Sequence, residues 1–366
     1  MNNKTSIWFS MSVALLVLLL VVCIGVLSLL FVFGSSLAPV IATFIPYSTP
    51  IPTDLQPTLL VPPKIKCANS NCANACLSKL TAFLQTNSIP ELLPKSAFRH
   101  GQEIKPVLLV TYPINGDQLG SPQFSSNVPA NLITVQQDIS PQEKIWNYFA
   151  SIIPADYRQQ LVDFLISTDG RGNMLASVEQ SVDQPQFWGL NVDIADAGQP
   201  RDLTFSLVHE FGHLLTLNEA QVTPDMAFLA HPNDMQIYQQ EAANCPQYFT
   251  SDGCSQPNSY LNNFFDQFWP EVYDEWKLVN AEKDQNNFSS LLAKFYENHS
   301  TQFNTPYSAT SPEEDIAESW TYFVLTPKPV DDSIAHRKLL FFYNYPELLD
   351  LRSQIVNGIC NYAANQ

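Results

Sequence analysis

Two histidines one helical turn apart, with a glutamate beside the first, sit inside an apolar stretch. His209-Glu210-Phe211-Gly212-His213 lies within the helix-patterned run Thr204 to Leu217. Residues four apart share a helix face, so both imidazoles can reach one ion. Zinc favours neutral nitrogen ligands, and a carboxylate one position round can take the proton of metal-activated water. The chain has 6 histidines in 366 residues, so the pairing is no by-product of a His-rich composition. The competing reading is a buried helix packed by Leu203, Leu207, Leu214 and Leu215, its histidines ordinary semi-buried groups. Helical context and apolar flanks on both sides favour the metal site.

The N-terminus points to a membrane. Ile7 to Phe33 is almost continuously apolar; as a helix it would span about 40 Å, enough to cross a bilayer core of roughly 30 Å with some tilt. A cleavable signal usually has an apolar region of about 7–15 residues after several positive charges, whereas only Lys4 leads in here. An uncleaved anchor over 1–34 is therefore expected, although the small residues Gly34-Ser35-Ser36-Leu37-Ala38 leave cleavage, and a secreted product, open. Residues 35–66, with Pro39, Pro46, Pro50, Pro52, Pro57, Pro62 and Pro63, read as a stiff extended stalk. The folded part is expected over 67–366.

From cysteine usage and charge, that folded part is expected outside the cytoplasm. Besides Cys23 there are six cysteines, Cys67, Cys72, Cys76, Cys245, Cys254 and Cys360. An even number in an exported domain suggests up to three disulfides, and Cys245 and Cys254 bracket a short polar loop. A second metal cluster at 67–76 would have three thiols and no adjacent His. A zymogen, with one of those thiolates on the open metal position, is a weaker reading than disulfides. The formal net charge of −17 repels phosphate backbones and leaves no basic stripe, so nucleic acid is not an expected partner.

Strand patterns come first and helix patterns dominate later, which predicts an α+β fold with a small mixed sheet and a mostly helical C-terminal lobe. Strands are expected at 105–112, 131–137 and 187–194, and helices at 142–153 and 156–166. The strand at 187–194 is the candidate sheet edge for aligning an extended substrate. Further helices are expected at 260–279, 286–296, 313–325, 333–343 and 347–358.

A catalytic zinc generally has three protein ligands. Glu219 lies ten residues after His209, where a sharp chain return can bring back a ligand, but Thr216 stands where that turn favours Gly. His231, His299 and His336 lie in less regular surroundings. Glu314 is the stronger candidate, because Ser311-Pro312-Glu313-Glu314-Asp315-Ile316-Ala317-Glu318 opens a helix with Glu314 and Glu318 on one face. An ion and an imidazole N–H would absorb both like charges, Glu318 serving as acceptor for a ligand histidine. Ser311 and Glu314 also spell a capping box with Pro312 at the first helical position, so helix capping is the competing role.

The pentad, followed about a hundred residues later by Glu-Asp-Ile-Ala-Glu-Ser-Trp, resembles the Glu-zincin metallopeptidases. The likeness is to the catalytic domain of anthrax lethal factor, the Pro-Pro endopeptidases and bacterial zinc-binding metallopeptidases with a similar second motif. It covers roughly 187–326, and the gap between motifs is longer than in compact members. The resemblance implies a zincin-like domain with Zn2+ on His209, His213 and Glu314, supported by Glu318. It implies Glu210 as general base and Tyr307, seven residues before Glu314, facing the oxyanion. The expected activity is hydrolysis of a protein or peptide substrate; a zinc hydrolase of non-peptide amides, or an inactive surface-anchored binding protein on the same scaffold, are the alternatives.

Overall fold

Val107 to Asn115, rich in Val and Leu, forms β1 of a mixed sheet, followed by the short strands β2 (Gln118–Leu119) and β3 (Gln123–Phe124), which both pair with β1. The computed structural model describes residues 106–171, 174–232, 234–250 and 252–364. Next come two helices, α1 (Ile133–Gln137) and α2 (Ile139–Ile152), and then strands β4 (Leu161–Thr168), β5 (Ala176–Gln180) and β6 (Trp188–Asp193). The order across the sheet is β2-β1-β4-β6-β5; β1 and β4 are antiparallel, β4 and β6 parallel, β6 and β5 antiparallel. The α+β class with a small mixed sheet is as expected.

Two expected elements differ. Asn131 to Gln137 is not a strand: Ile133–Gln137 is helical, because the Gln136 amide donates to the Leu109 and Ser125 carbonyls at 2.9 Å each and ties the turn to β1. Such tertiary bonding overrides the β-propensity of Ile, Thr and Val. Residues 156–166 are not one helix either. A 3-10 turn at Ala155–Tyr157 leads into β4, whose Leu161, Phe164 and Ile166 are buried between β1 and β6. A short apolar run bounded by Pro154 carries no periodicity that separates a central strand from a buried helix.

The strand at Trp188–Asp193 exists, but it is interior and not the edge. Among the described residues the outermost strand on that side is β5. Ser181 N–H bonds to the Phe187 carbonyl and Asp193 N–H to the Leu175 carbonyl. In an antiparallel pair bonding positions alternate, so the odd-numbered residues of β5 face β6 and the main chain of Ala176, Val178 and Gln180 faces the other way.

The motif helix, α3 (Pro200–Leu217), packs against β5, and every residue from Leu207 to Leu217 is buried. A hairpin of β7 (Val222–Pro224) and β8 (Gly253–Ser255) follows, enclosing α4 (Met226–Ala230) and α5 (Met235–Asn244). Cys245 and Cys254 are joined within it, as their spacing suggests, and Cys360 is also disulfide-bonded. The expected helix at 260–279 is two, α6 (Tyr260–Phe268) and α7 (Pro270–Asn280): Pro270 supplies no N–H and starts a new helix. The helical lobe ends with α8 (Gln285–His299), α9 (Pro312–Leu325), α10 (Ile334–Phe341) and α11 (Pro346–Ala364). Among the described residues no helix is long and apolar enough to cross a membrane. The apolar run at 7–33, the proline-rich stretch and Cys67, Cys72 and Cys76 lie outside the described residues.

α3 and α9 pack closely, and Gly212 sits at their contact. A Cβ at Gly212 would stand 3.1 Å from Trp320 Cδ1 and 3.2 Å from Ala317 Cα. Both Ala317 and Trp320 are fully buried, so neither can yield freely. Gly212→Ala therefore sets two effects against each other: about 1 kcal/mol of helix propensity gained and about 1–3 kcal/mol of overpacking lost. We expect net destabilisation on the order of 1 kcal/mol in urea unfolding; a stabilised variant would show that the close approach constrains nothing.

Candidate metal centre

The histidines of α3 project from successive turns, and Glu314 meets them from the first turn of α9. His209 Nε2 lies 3.0 Å from Glu314 Oε2, His213 Nε2 lies 3.3 Å from the same oxygen, and the two Nε2 atoms are 3.1 Å apart. Ligands about 2.0–2.1 Å from a tetrahedral zinc stand roughly 3.3–3.4 Å from one another. The triangle of two nitrogens and one oxygen is therefore close to the size such an ion needs, with small expansion.

Local sequence explains why Glu314 points inward. Ser311 caps α9, its hydroxyl accepting the Glu314 N–H at 3.2 Å, and Pro312 begins the helix. The capping box is thus half realised: the backbone of Glu314 is capped while its carboxylate reaches the histidines. One turn on, buried Glu318 places Oε1 3.6 Å from His209 Nδ1. That is an approach longer than a hydrogen bond. The Nδ1 atoms of His209 and His213 are buried with no hydrogen-bond partner among the described residues.

The other candidates for the third corner lie elsewhere. Glu219 is exposed in the turn after α3, whose cap Asn218 carries the chain away in an extended conformation. His231 is exposed; His299 pairs with Glu275 at 2.8 Å and His336 with Asp331 at 2.6 Å. Tyr307 does reach the centre. Its ring centroid is 5.7 Å from that of His209, and its hydroxyl lies within the electrostatic reach of Glu314 and Glu210.

The electrostatics favour positive charge where the three ligand atoms converge. Burial would raise the Glu314 pKa, but the imidazoles of His213 and His209 outweigh it and hold the carboxyl well below its usual range. Burial opposes an imidazolium at His213, yet Glu314, Glu210 and Asp252 together hold its pKa up to about 9. His209 is pushed down by burial, against the pull of Glu314. One imidazole thus keeps a proton as counter-charge, at a place where a cation would serve the same purpose. These donors, one carboxylate and two imidazoles, fit zinc.

Glu210 lies beside this point. Burial, with the Glu314 charge adding, raises its pKa to about 8, against His213 and the Val178 N–H of β5. A carboxylate poised near neutrality is suited to moving a proton. Burial also holds the Tyr307 hydroxyl well above its ordinary pKa, with Glu314 and Glu210 adding. Tyr307 therefore keeps its proton and is a donor.

Three supports have no signature in the sequence. The Tyr248 hydroxyl, inside the disulfide loop, donates to Glu313 Oε1 and Oε2 at 3.0 and 3.1 Å, docking that loop on the start of α9. Thr305 Oγ1 donates to Glu318 Oε2 at 3.1 Å. Asp315 Oδ2 accepts from Lys338 Nζ at 2.6 Å and from Trp269 Nε1 at 2.9 Å, all three side chains being buried. No local pattern marks these partners, which come from distant elements. An acidic residue in the first turn of a helix ordinarily reads as a complement to the dipole.

Comparison with protein-family models, with curated proteins and with solved structures finds no match for the chain.

The Asp315–Lys338 pair anchors α9 one residue after Glu314. Removing one partner of a buried pair leaves an uncompensated charge and costs about 3–5 kcal/mol. Lys338→Met should lose stability of that order, whereas the double replacement Asp315→Asn, Lys338→Met should recover part of it. Chemical denaturation of the three proteins reads the difference; a single variant as stable as the parent would show that the pair anchors nothing.

Proposed function

We propose that this chain is a zinc-dependent endopeptidase of the zincin type, resembling the Glu-zincins, with the ion held by His209, His213 and Glu314. The reading is carried by one observation: three ligand atoms from two helices meet within 3.0–3.3 Å, with Glu210 at their side. When bound, zinc would polarise the scissile carbonyl and acidify the attacking water.

The remaining work falls to the chain itself. Glu210 takes the proton of the attacking water and passes it to the leaving amine, an exchange its near-neutral pKa suits. Tyr307, which stays protonated, donates to the developing oxyanion, a contact of most value when made only in the transition state. The outward main chain of Ala176 and Gln180, with the Val178 carbonyl between them, can pair with an extended peptide laid as a further strand. Val178 supports this because its N–H faces Glu210, bringing the sheet edge and the general base together. The apolar run Ile7 to Phe33 would anchor the enzyme, with its catalytic domain extracytoplasmic on a proline-rich stalk.

Elemental analysis of the full chain after dialysis should find about one zinc per chain, the open three-ligand arrangement expected of a catalytic site; no transition metal would overturn the proposal. Glu210→Gln should keep the ion and lose about 10²–10⁴-fold in cleavage of a peptide library read by mass spectrometry. A zinc-loaded parent that cleaves nothing in such a library would favour a binding protein on this scaffold.

A further inference from the structure

The segment between α8 and α9 forms a hydrogen-bonded brace along the inner face of α9. It is anchored by Phe303, which is buried against Trp269 and Phe295 at ring separations of 5.6 and 5.8 Å. Asn304 then donates to the Ser319 hydroxyl at 3.1 Å, and Thr305 to Glu318 Oε2 at 3.1 Å, so successive residues grip successive residues of α9. At its other end the Thr310 carbonyl accepts the Trp276 indole N–H at 2.9 Å. Tyr307 lies between these fixed ends.

The direction of the Thr305 bond follows from counting protons. A hydroxyl has one proton and two acceptor positions. Thr305 Oγ1 accepts the Ser308 N–H at 3.2 Å and lies 3.3 Å from Ser308 Oγ, which can supply a proton of its own. The single Thr305 proton is then free for the Glu318 carboxylate. Thr305 thus closes the turn that carries Tyr307 and holds the carboxylate that faces His209 Nδ1, with one side chain.

We infer that Thr305 is a positioning residue for the metal centre: its hydroxyl sets the Glu318 carboxylate opposite His209 and couples that placement to the turn bearing Tyr307. Glu318 has its other oxygen 3.6 Å from His209 Nδ1, so an unheld carboxylate can rotate away from the imidazole. An imidazole whose far N–H finds an acceptor has its tautomer and ring orientation set for metal binding. This rests on the zinc site proposed above.

Thr305→Val keeps the branched shape and removes the proton donor; Thr305→Ser keeps the donor. The test is zinc affinity of the full chain by chelator competition, without substrate, alongside thermal unfolding of the metal-free proteins. Loss of partners around metal ligands weakens binding by about 10–100-fold, and Thr305 acts one bond further out, so Thr305→Val should bind about tenfold more weakly. Thr305→Ser should stay within about twofold of the parent. In a Glu318→Gln background the valine should add little, because the group it positions has already changed.

Thr305→Val binding zinc as tightly as the parent, or an effect that adds fully to that of Glu318→Gln, would overturn the inference. So would a lowered unfolding temperature with unchanged affinity, the mark of a merely structural residue. If valine is not accommodated, Thr305→Ala, which only removes atoms, is read in the same way. A parent chain that binds no zinc would instead overturn the metal-site reading itself.

Discussion

The close contact of α3 with α9 is the constraint on which the candidate site depends. Gly212 has no side chain, and Ala317 opposite it has only a methyl, so the two helices approach until Trp320 and the α9 backbone stand against the glycine. At that separation a glutamate side chain from one helix reaches both histidines of the other. Because both faces are buried and densely packed, the distance between Glu314 and the imidazoles is set by the core and not by the site. The glycine in the pentad is thus as much part of the candidate site as the residues that would touch an ion.

Charge explains why so much polar structure is gathered behind α9. Glu313, Glu314, Asp315 and Glu318 all lie within two turns, and bare like charges at such spacings repel. Each is instead given a different partner: the Tyr248 hydroxyl for Glu313, the histidines for Glu314, Lys338 and Trp269 for Asp315, Thr305 for Glu318. Those partners come from the disulfide loop, α3, the residue joining α6 to α7, α10 and the segment before α9. The helical lobe therefore acts as a set of supports converging on one short helix. The long separation between the two motifs has a physical use in this arrangement, since the disulfide loop within it supplies Tyr248.

The sheet contributes an edge. The residues of β5, Ala-Ser-Val-Glu-Gln, do not announce a strand: they lack the apolar density of a core strand and alternate only weakly. It forms because β6 beside it is apolar and long enough to pair, and because α3 packs against it. An edge strand needs less hydrophobicity than a central one, as one side of its main chain can remain free. The same pairing places β6 in the interior, so the sheet edge expected at 187–194 lies at 176–180.

Local chemistry determined much of this molecule. The i, i+4 spacing of His209 and His213 required a helix if both were to serve one ion, and the Ser311-Pro312 start required α9 to begin where it does. The spacing of Glu314 and Glu318 put both on one face, and the Cys245–Cys254 bracket was legible as a loop closed by a disulfide. Tertiary structure decided which of several carboxylates and histidines came to the third corner. Glu219, closer in sequence, is carried away by an extended turn, while Glu314, 105 residues from His209, is brought to 3.0 Å. It also decided that Leu161–Thr168 became strand and Ile133–Gln137 became helix, where local preference was ambiguous or pointed the other way. The physical reason is the range of the interactions. Spacing, capping and loop closure act within a turn or a loop, whereas strand neighbours, helix separation and the partner of a buried charge are settled only when distant segments compete for the same core.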